Sequence, residues 1–169
     1  MIDKGYVLTI ARYNAWQNNQ IVDIVKAMDE DALWRDHKAF FGSIMHTLNH
    51  ILWADTLWMS RFCSDVDLPD VPGSESTNYM ATRGEWQAAR FRLDGRIRIW
   101  GETLSNLDLA GEMTWYSGGM QRDFTQPVAL CITHMFNHQT HHRGQVHAML
   151  TASGQSAPTT DIVFMPEDA

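Results

Sequence analysis

The sequence predicts an all-α fold, a four-helix bundle, on two observations. Four long stretches carry apolar residues at spacings of three and four, which is the period of an amphipathic helix. Strand-like alternation is confined to one short region, so a large sheet is not expected. The length of 169 residues suits one domain, which we place over residues 1–169.

The first two helices are predicted from apolar periodicity and from one capping residue. Residues 4–28 contain no proline and a single glycine near their start, which predicts helix one. Ser43 is a suitable N-cap for helix two, which is expected to run to about Phe62. Apolar residues cover more than half of the circumference of helix two. We therefore expect burial on several sides, which favours a subunit contact.

A long loop is predicted between helix two and helix three. Residues 63–83 hold two of the five prolines and several runs of turn formers, and loops of this length often serve a site. Helix three is predicted over about residues 84–104. Its arginines are expected on a solvent-exposed face, with acidic partners on the same helix: Arg90, Arg92, Arg96 and Arg98.

The region before helix four allows a short β-hairpin. Ser-Gly-Gly at residues 117–119 separates two segments with β character, as a turn would. Thr125 is a suitable N-cap for helix four, and Pro127 is tolerated in a first helical turn. We expect this helix to end near Ala152, before Gly154.

Composition excludes several classes of protein. The net charge of -7 argues against nucleic acid as the main partner, because phosphate binding needs concentrated Lys and Arg. The sequence has neither a secretory signal pattern nor an uninterrupted apolar run long enough to span a membrane. Cys63 and Cys131 are too few for a disulfide framework. We therefore expect a cytoplasmic protein that binds neither nucleic acid nor membrane.

Five of the eight histidines lie on the fourth predicted helix and differ in direction. His138 and His142 are one turn apart, at the edge and in the middle of the apolar stripe. His134 and His141 lie on the shoulder of this stripe, and His147 faces the opposite side. Two histidines one turn apart can converge on one ion, although such a pair is also a common accident of sequence.

A third inward histidine is predicted on helix two. His50 projects from an apolar flank, where both of its nitrogens need partners. A lone histidine there would be interpreted as a hydrogen-bonded core residue. Three buried neutral imidazoles would instead compete for few donors, and one divalent cation would satisfy all three lone pairs. The residues therefore favour a metal site.

Three segments together resemble the DinB/YfiT-like superfamily of metalloenzymes. They are TLNHILWADTLWMSRF, HMFNHQTHHRGQVHAMLTASG and PTTD, and the similarity extends back to YNAWQNNQI in helix one. The most specific element runs from Asn137 to Gln145. The resemblance implies a four-helix bundle, often a homodimer, with a divalent metal ion held by one histidine of the second helix and two of the fourth. The matching residues are His50, His138 and His142.

Four more side chains near the trio have two interpretations each. His46, His134 and His141 either line the pocket and orient the ligands or have ordinary packing roles. Asp55 either orients a ligand or a bound water, or is an exposed helical residue.

The remaining motif residues receive structural or supporting roles. Arg143 is expected to pair with a carboxylate, and Gly144 to permit a close helix contact. Gln145 points back toward the histidines and could hydrogen-bond there. The run WYSGGM, residues 115–120, is expected to form a pocket wall.

The resemblance implies metal-dependent thiol S-transfer or hydrolysis on a small molecule, with a low-molecular-weight thiol as a candidate. Zinc is the first choice of metal and nickel the second. No G-x-S-x-G nucleophile or H-E-x-x-H base is present, so no catalytic side chain is identified. The alternatives are a non-catalytic, metal-dependent binding or stress-response protein, and a purely structural ion sealed by tryptophans such as Trp53, Trp58 or Trp115.

Overall fold

The structure is a computed structural model that describes residues 2–169. It is mostly helical with one small antiparallel sheet, which confirms the helical class and the hairpin; the four-helix bundle itself stays a prediction. No helix of the described residues is both long and apolar enough to cross a membrane. The elements are α1 (Lys4–Ala27), α2 (Glu30–Trp34), α3 (Ile44–Phe62), α4 (Arg83–Thr103), β1 (Glu112–Ser117), β2 (Arg122–Pro127) and α5 (Val128–Ala152), with 3-10 helices over Gly73–Asn78 and Ile162–Phe164.

Side-chain caps explain where three of the long helices begin. The Asp3 carboxylate accepts from the backbone N–H of Tyr6 at the start of α1. Ser43 caps α3 as predicted. Thr82 and Glu85 form a capping box at the start of α4, with each side chain accepting from the backbone near the other.

The predicted N-cap of α5 is wrong, because the hairpin continues to Pro127. Thr125 lies in β2 opposite Thr114, and their hydroxyls are 2.8 Å apart. Pro127 is the last residue of β2, and α5 starts at Val128. The backbone N–H of Val128 donates to the carbonyl of Gly111 at 2.9 Å, so the strand leads directly into the helix.

The core lies between four long helices, with α1 packed against α4, and α3 packed against both α4 and α5. Helix α3 also contacts α2 and the 3-10 helix Gly73–Asn78. These contacts bury Leu48, Ile51, Leu52 and Met59 within a single chain. The burial that favoured a subunit contact is therefore explained by intramolecular packing, and the homodimer stays a prediction.

A buried ion network crosses the core and corrects two expectations. Arg90, predicted on an exposed face, is 1% exposed and donates to the carboxylate of Asp55 at 2.6 Å. Its other terminal nitrogen lies 2.8 Å from the Asp94 carboxylate, which also accepts from Asn18 at 3.0 Å. Asp55 is 1% exposed, so it does not face solvent, and it is the acidic partner of Arg90.

Arg143 and Gly144, which follow His142 in the segment that resembles the family, differ from their predicted roles. Arg143 is buried and donates to the side-chain oxygen of Asn14 on α1. No carboxylate of residues 2–169 forms an ion pair with it. Gly144 is exposed, and a Cβ placed there would meet nothing within 4 Å. It therefore mediates no close helix contact.

Candidate metal centre

Helices α3 and α5 bring the three predicted histidines together. His50 comes from α3, and His138 and His142 come from successive turns of α5. One ring nitrogen from each residue lies within 4.8 Å of the other two, so the trio could hold a metal ion. Among residues 2–169 this is the one such group of three or more His, Cys, Asp or Glu side chains.

The distance between two of the three ligand nitrogens already matches tetrahedral coordination of a metal ion. The Nε2 atoms of His50 and His138 are 3.2 Å apart. Two nitrogens bound to zinc at about 2.0–2.1 Å with a tetrahedral angle would lie about 3.3 Å apart. The donor set and this distance fit a divalent ion, with the ring of His142 completing the group.

The second nitrogen of two of these rings is held by a hydrogen bond. Nδ1–H of His142 donates to Oε1 of Gln145 at 2.8 Å, as the direction of Gln145 predicted. Nδ1 of His50 lies 3.0 Å from Oγ of Ser76. Nδ1 of His138 is buried and has no hydrogen-bond partner among residues 2–169. The two hydrogen bonds leave Nε2 of His50 and His142 for an ion.

Ser76 reaches His50 because the long loop folds back against α3. The buried side chain of Asn49 donates to the carbonyls of Thr77 and Met80 at 3.0 and 2.9 Å. These bonds fix the 3-10 helix that carries Ser76, itself 3% exposed. Sequence reasoning missed both Ser76 and Asn49, and the one available signal was the prediction that this loop serves a site.

The trio is neutral at physiological pH. Burial, reinforced by the neighbouring His142, lowers the pKa of His50 to about 4. Burial, together with the surrounding histidines, lowers the pKa of His138 to about 3. The pKa of His142 is also lowered by burial, against the effect of its hydrogen bond to Gln145. Unprotonated imidazole is the form that binds a metal ion.

An aromatic side chain covers one side of the trio. The ring centroid of Phe41 lies 4.2 Å from that of His50 and 5.3 Å from that of His142. The turn that presents Phe41 is closed by a 2.7 Å bond from the His37 N–H to the carbonyl of Gly42, whose φ of 81° favours glycine. His50 and His138 stay partly exposed, so Phe41 does not seal the trio from solvent.

The other predicted histidines divide into two groups. The ring of His134 lies 5.8 Å from that of His138, and the ring of His141 lies 4.8 Å from that of His142. His141 also lies 3.3 Å from the amide nitrogen of Gln145. His46 instead packs edge-on against Trp34. His134 and His141 therefore adjoin the trio, and His46 has a packing role.

A cavity of about 670 Å³ lies between α3, the long loop and the hairpin turn. Residues 116–119 line it, so most of the run predicted as a pocket wall does form one. Trp53 lines the same cavity, and its indole stacks with the ring of His50 at a centroid distance of 6.5 Å. Trp53 therefore links the cavity to His50, although none of the three histidines lines it.

Comparison with known proteins gives one consistent family. The DinB family model matches residues 1–169. Protein DinB of Bacillus subtilis (strain 168) is 24% identical over 159 residues, which cover 92% of this chain and 91% of that protein. The crystal structure of a DinB-like protein from Bacillus cereus ATCC 10987 aligns with a TM-score of 0.62 at 15% identity, over 87% of this chain and 90% of that one, and supports the fold. The chain belongs to the DinB family.

Proposed function

We propose that His50, His138 and His142 hold a divalent metal ion, and that the protein is a metal-dependent thiol S-transferase or hydrolase acting on a small molecule. The observation that carries this proposal is the convergence of three neutral imidazoles, with ring nitrogens within 4.8 Å of one another. Three nitrogen donors suit zinc first and nickel second. Three protein ligands are typical of catalytic zinc sites, which keep a further position open.

The ion would supply an acidified water or thiol as a nucleophile at neutral pH. The chain contributes position and environment. Ser76 and Gln145 set the ring orientation of His50 and His142. Phe41 and Trp53 provide apolar surface that limits access of water to His50.

The surroundings support a reaction that needs no separate protein base. Among residues 2–169, no carboxylate belongs to the cluster of candidate ligands. Asp55, the acid nearest to His50 along α3, pairs with Arg90. A nucleophile that is already ionised, such as a thiolate, meets this requirement. A small cellular thiol is therefore the first substrate to test.

Elemental analysis of the purified protein and of three variants tests the metal site. We expect about one metal ion per chain in the wild type and loss of the ion in His50→Ala and in His138→Ala. His147→Ala is the matched control, because His147 lies on α5 outside the ligand group and should retain the ion. Retained metal in both of the first two variants would overturn the site.

A substrate screen tests the reaction. Zinc-loaded and nickel-loaded protein should be assayed with small thiols plus electrophiles and with simple esters. We expect turnover that the His138→Ala variant lacks. Stoichiometric metal without turnover of either class would favour the non-catalytic binding protein.

A further inference from the structure

Arg61 is a partly buried cation without an acidic partner. It lies on α3 about three turns after His50, which returns it to nearly the same face of the helix. Its guanidinium carbon lies 4.5 Å from the ring centroid of Trp58 and 5.3 Å from that of Trp115. No ion pair joins it to an acid of the described residues.

The two indoles leave the hydrogen-bonding capacity of Arg61 unused. Aromatic rings interact with the face of a guanidinium, whereas its N–H donors point outward in the plane of the group. The buried arginines Arg90 and Arg143 both donate to oxygen acceptors of the chain. The chain has 20 acidic residues against 13 basic ones, so acidic partners are abundant. Arg61 nevertheless has none, and its donors are available to an external anion.

Arg61 also lines the cavity that Trp53 links to His50. It is the one charged residue among those that line this cavity, whose walls include Trp53, Ser74, Tyr116 and Ser117. The volume of about 670 Å³ is within the range of small-molecule sites. A few polar groups in a mostly apolar pocket commonly determine how a ligand is oriented.

A row of ring contacts connects Arg61 with the candidate metal centre. Trp58, which lies beneath the guanidinium, has its ring 5.2 Å from that of His134. The ring of His134 lies 5.8 Å from that of His138. Three turns of α3 span about 16 Å between His50 and Arg61. A molecule that binds at both places would therefore have to span about 16 Å.

We propose that Arg61 binds an anionic group, a carboxylate or a phosphate, of the small molecule on which the three-histidine centre acts. This substrate class rests on the proposed function. The planar pair of N–H donors matches either anion. The ligand would place its anion at Arg61 and its reactive thiol or ester near the histidines.

An NMR titration of the full, metal-free chain tests this site. Inorganic phosphate and glutarate are added separately, and the indole N–H signals of Trp58 and Trp115 are followed. We expect saturable shifts with at least one anion, and affinity reduced about tenfold or more in Arg61→Gln. Arg61→Lys retains the charge and the stem but lacks the planar fork, so it should bind less tightly than the wild type.

Arg122→Gln is the matched control. Arg122 also lies over an aromatic ring, with its guanidinium carbon 4.4 Å from the centroid of Phe124, but on the exposed hairpin. The Arg122→Gln variant should bind the anions with the same affinity as the wild type. Unchanged affinity in both Arg61 variants, or no saturable shift with either anion in the wild type, would overturn the proposal. A response to one anion alone identifies which group is bound.

The two proposals fail independently in these experiments. The titration contains no metal, so an absent anion site would leave the elemental analysis of the histidine variants unaffected. Conversely, a finding that the three histidines bind no metal ion would not change the affinity for the anion measured in the titration.

Discussion

Ser76 and Gln145 each occupy the Nδ1 atom of one histidine, which leaves Nε2 of that ring for an ion. Removing the Ser76 hydroxyl should weaken metal affinity about 10–100-fold, because His50 would lose the group that orients its ring. Competition with a chelating dye measures this in Ser76→Ala. Ser74→Ala makes the same chemical change at an exposed position of the same 3-10 helix and should not alter affinity. Equal affinities in the two variants would contradict the role of Ser76.

The pH dependence of metal binding follows from the lowered pKa values of the rings. Three histidines with the ordinary pKa of about 6.5 would together release about two protons on binding at pH 6. His50, with its pKa near 4, and His138, with its pKa near 3, are already unprotonated at that pH. We therefore expect release of less than one proton, mainly from His142, and a metal affinity that falls less steeply with falling pH than three ordinary histidines would give.

Calorimetry at pH 6 in two buffers of different ionisation enthalpy measures the number of protons released. A value near two would show that the rings titrate as exposed histidines do.

Side-chain direction along a helix was predictable at the site, whereas partners from loops and from other helices were not. The directions of side chains around two helices select His138, His142 and His50, and the family resemblance matches the same three residues. Periodicity carries no information on where residues 63–82 fold back, so Ser76 was missed. The acidic partner Asp94, four residues after Arg90 on the same helix, was predicted. Periodicity cannot show that Asp55 of α3 also faces Arg90, so an exposed face was predicted instead.

At the scale of the element, caps decide where helices begin. The capping box of Thr82 and Glu85 satisfies backbone N–H groups at the start of α4. Thr82→Ala should reduce the free energy of unfolding by about 1 kcal/mol and lower the Tm by a few degrees. Thermal unfolding measures this, with Thr9→Ala as the control, since Thr9 is exposed within α1. An unchanged Tm in Thr82→Ala would contradict the importance of the cap.

Element boundaries were predictable where a cap and a periodic segment coincide. Ser43 satisfies both conditions, and α3 begins directly after it. Thr125 also precedes a periodic segment, but cross-strand pairing with Thr114 occupies its hydroxyl. A threonine suits a strand as well as a cap, so the sequence alone could not decide between the two.

At the scale of the whole molecule, the ion network of Asp55, Arg90 and Asp94 joins α3 to α4, and Asn18 extends it to α1. Removing one partner of a buried pair leaves an uncompensated charge, which costs about 3–5 kcal/mol. Arg90→Met should lower the free energy of unfolding, measured with urea, by this amount. Arg92→Met, on the exposed face of α4, should change stability by less than about 0.5 kcal/mol. Similar stabilities of the two variants would contradict the network's role.

The class of the fold was predictable because four long periodic segments need one another to bury their apolar faces. The polar connections between those segments were not predictable. They depend on which charged side chains meet once the helices pack, and pattern along one helix does not encode the rotation of its neighbour.

The two nitrogens at the 3.2 Å contact of the trio belong to residues 88 positions apart in the chain. An ion bound there would act as a removable cross-link between the two halves of the protein. Free metal at about a hundred times its dissociation constant would add about 2.7 kcal/mol to stability. The supply of metal in the cell would then govern how long each molecule survives proteolysis, in addition to whether it is active.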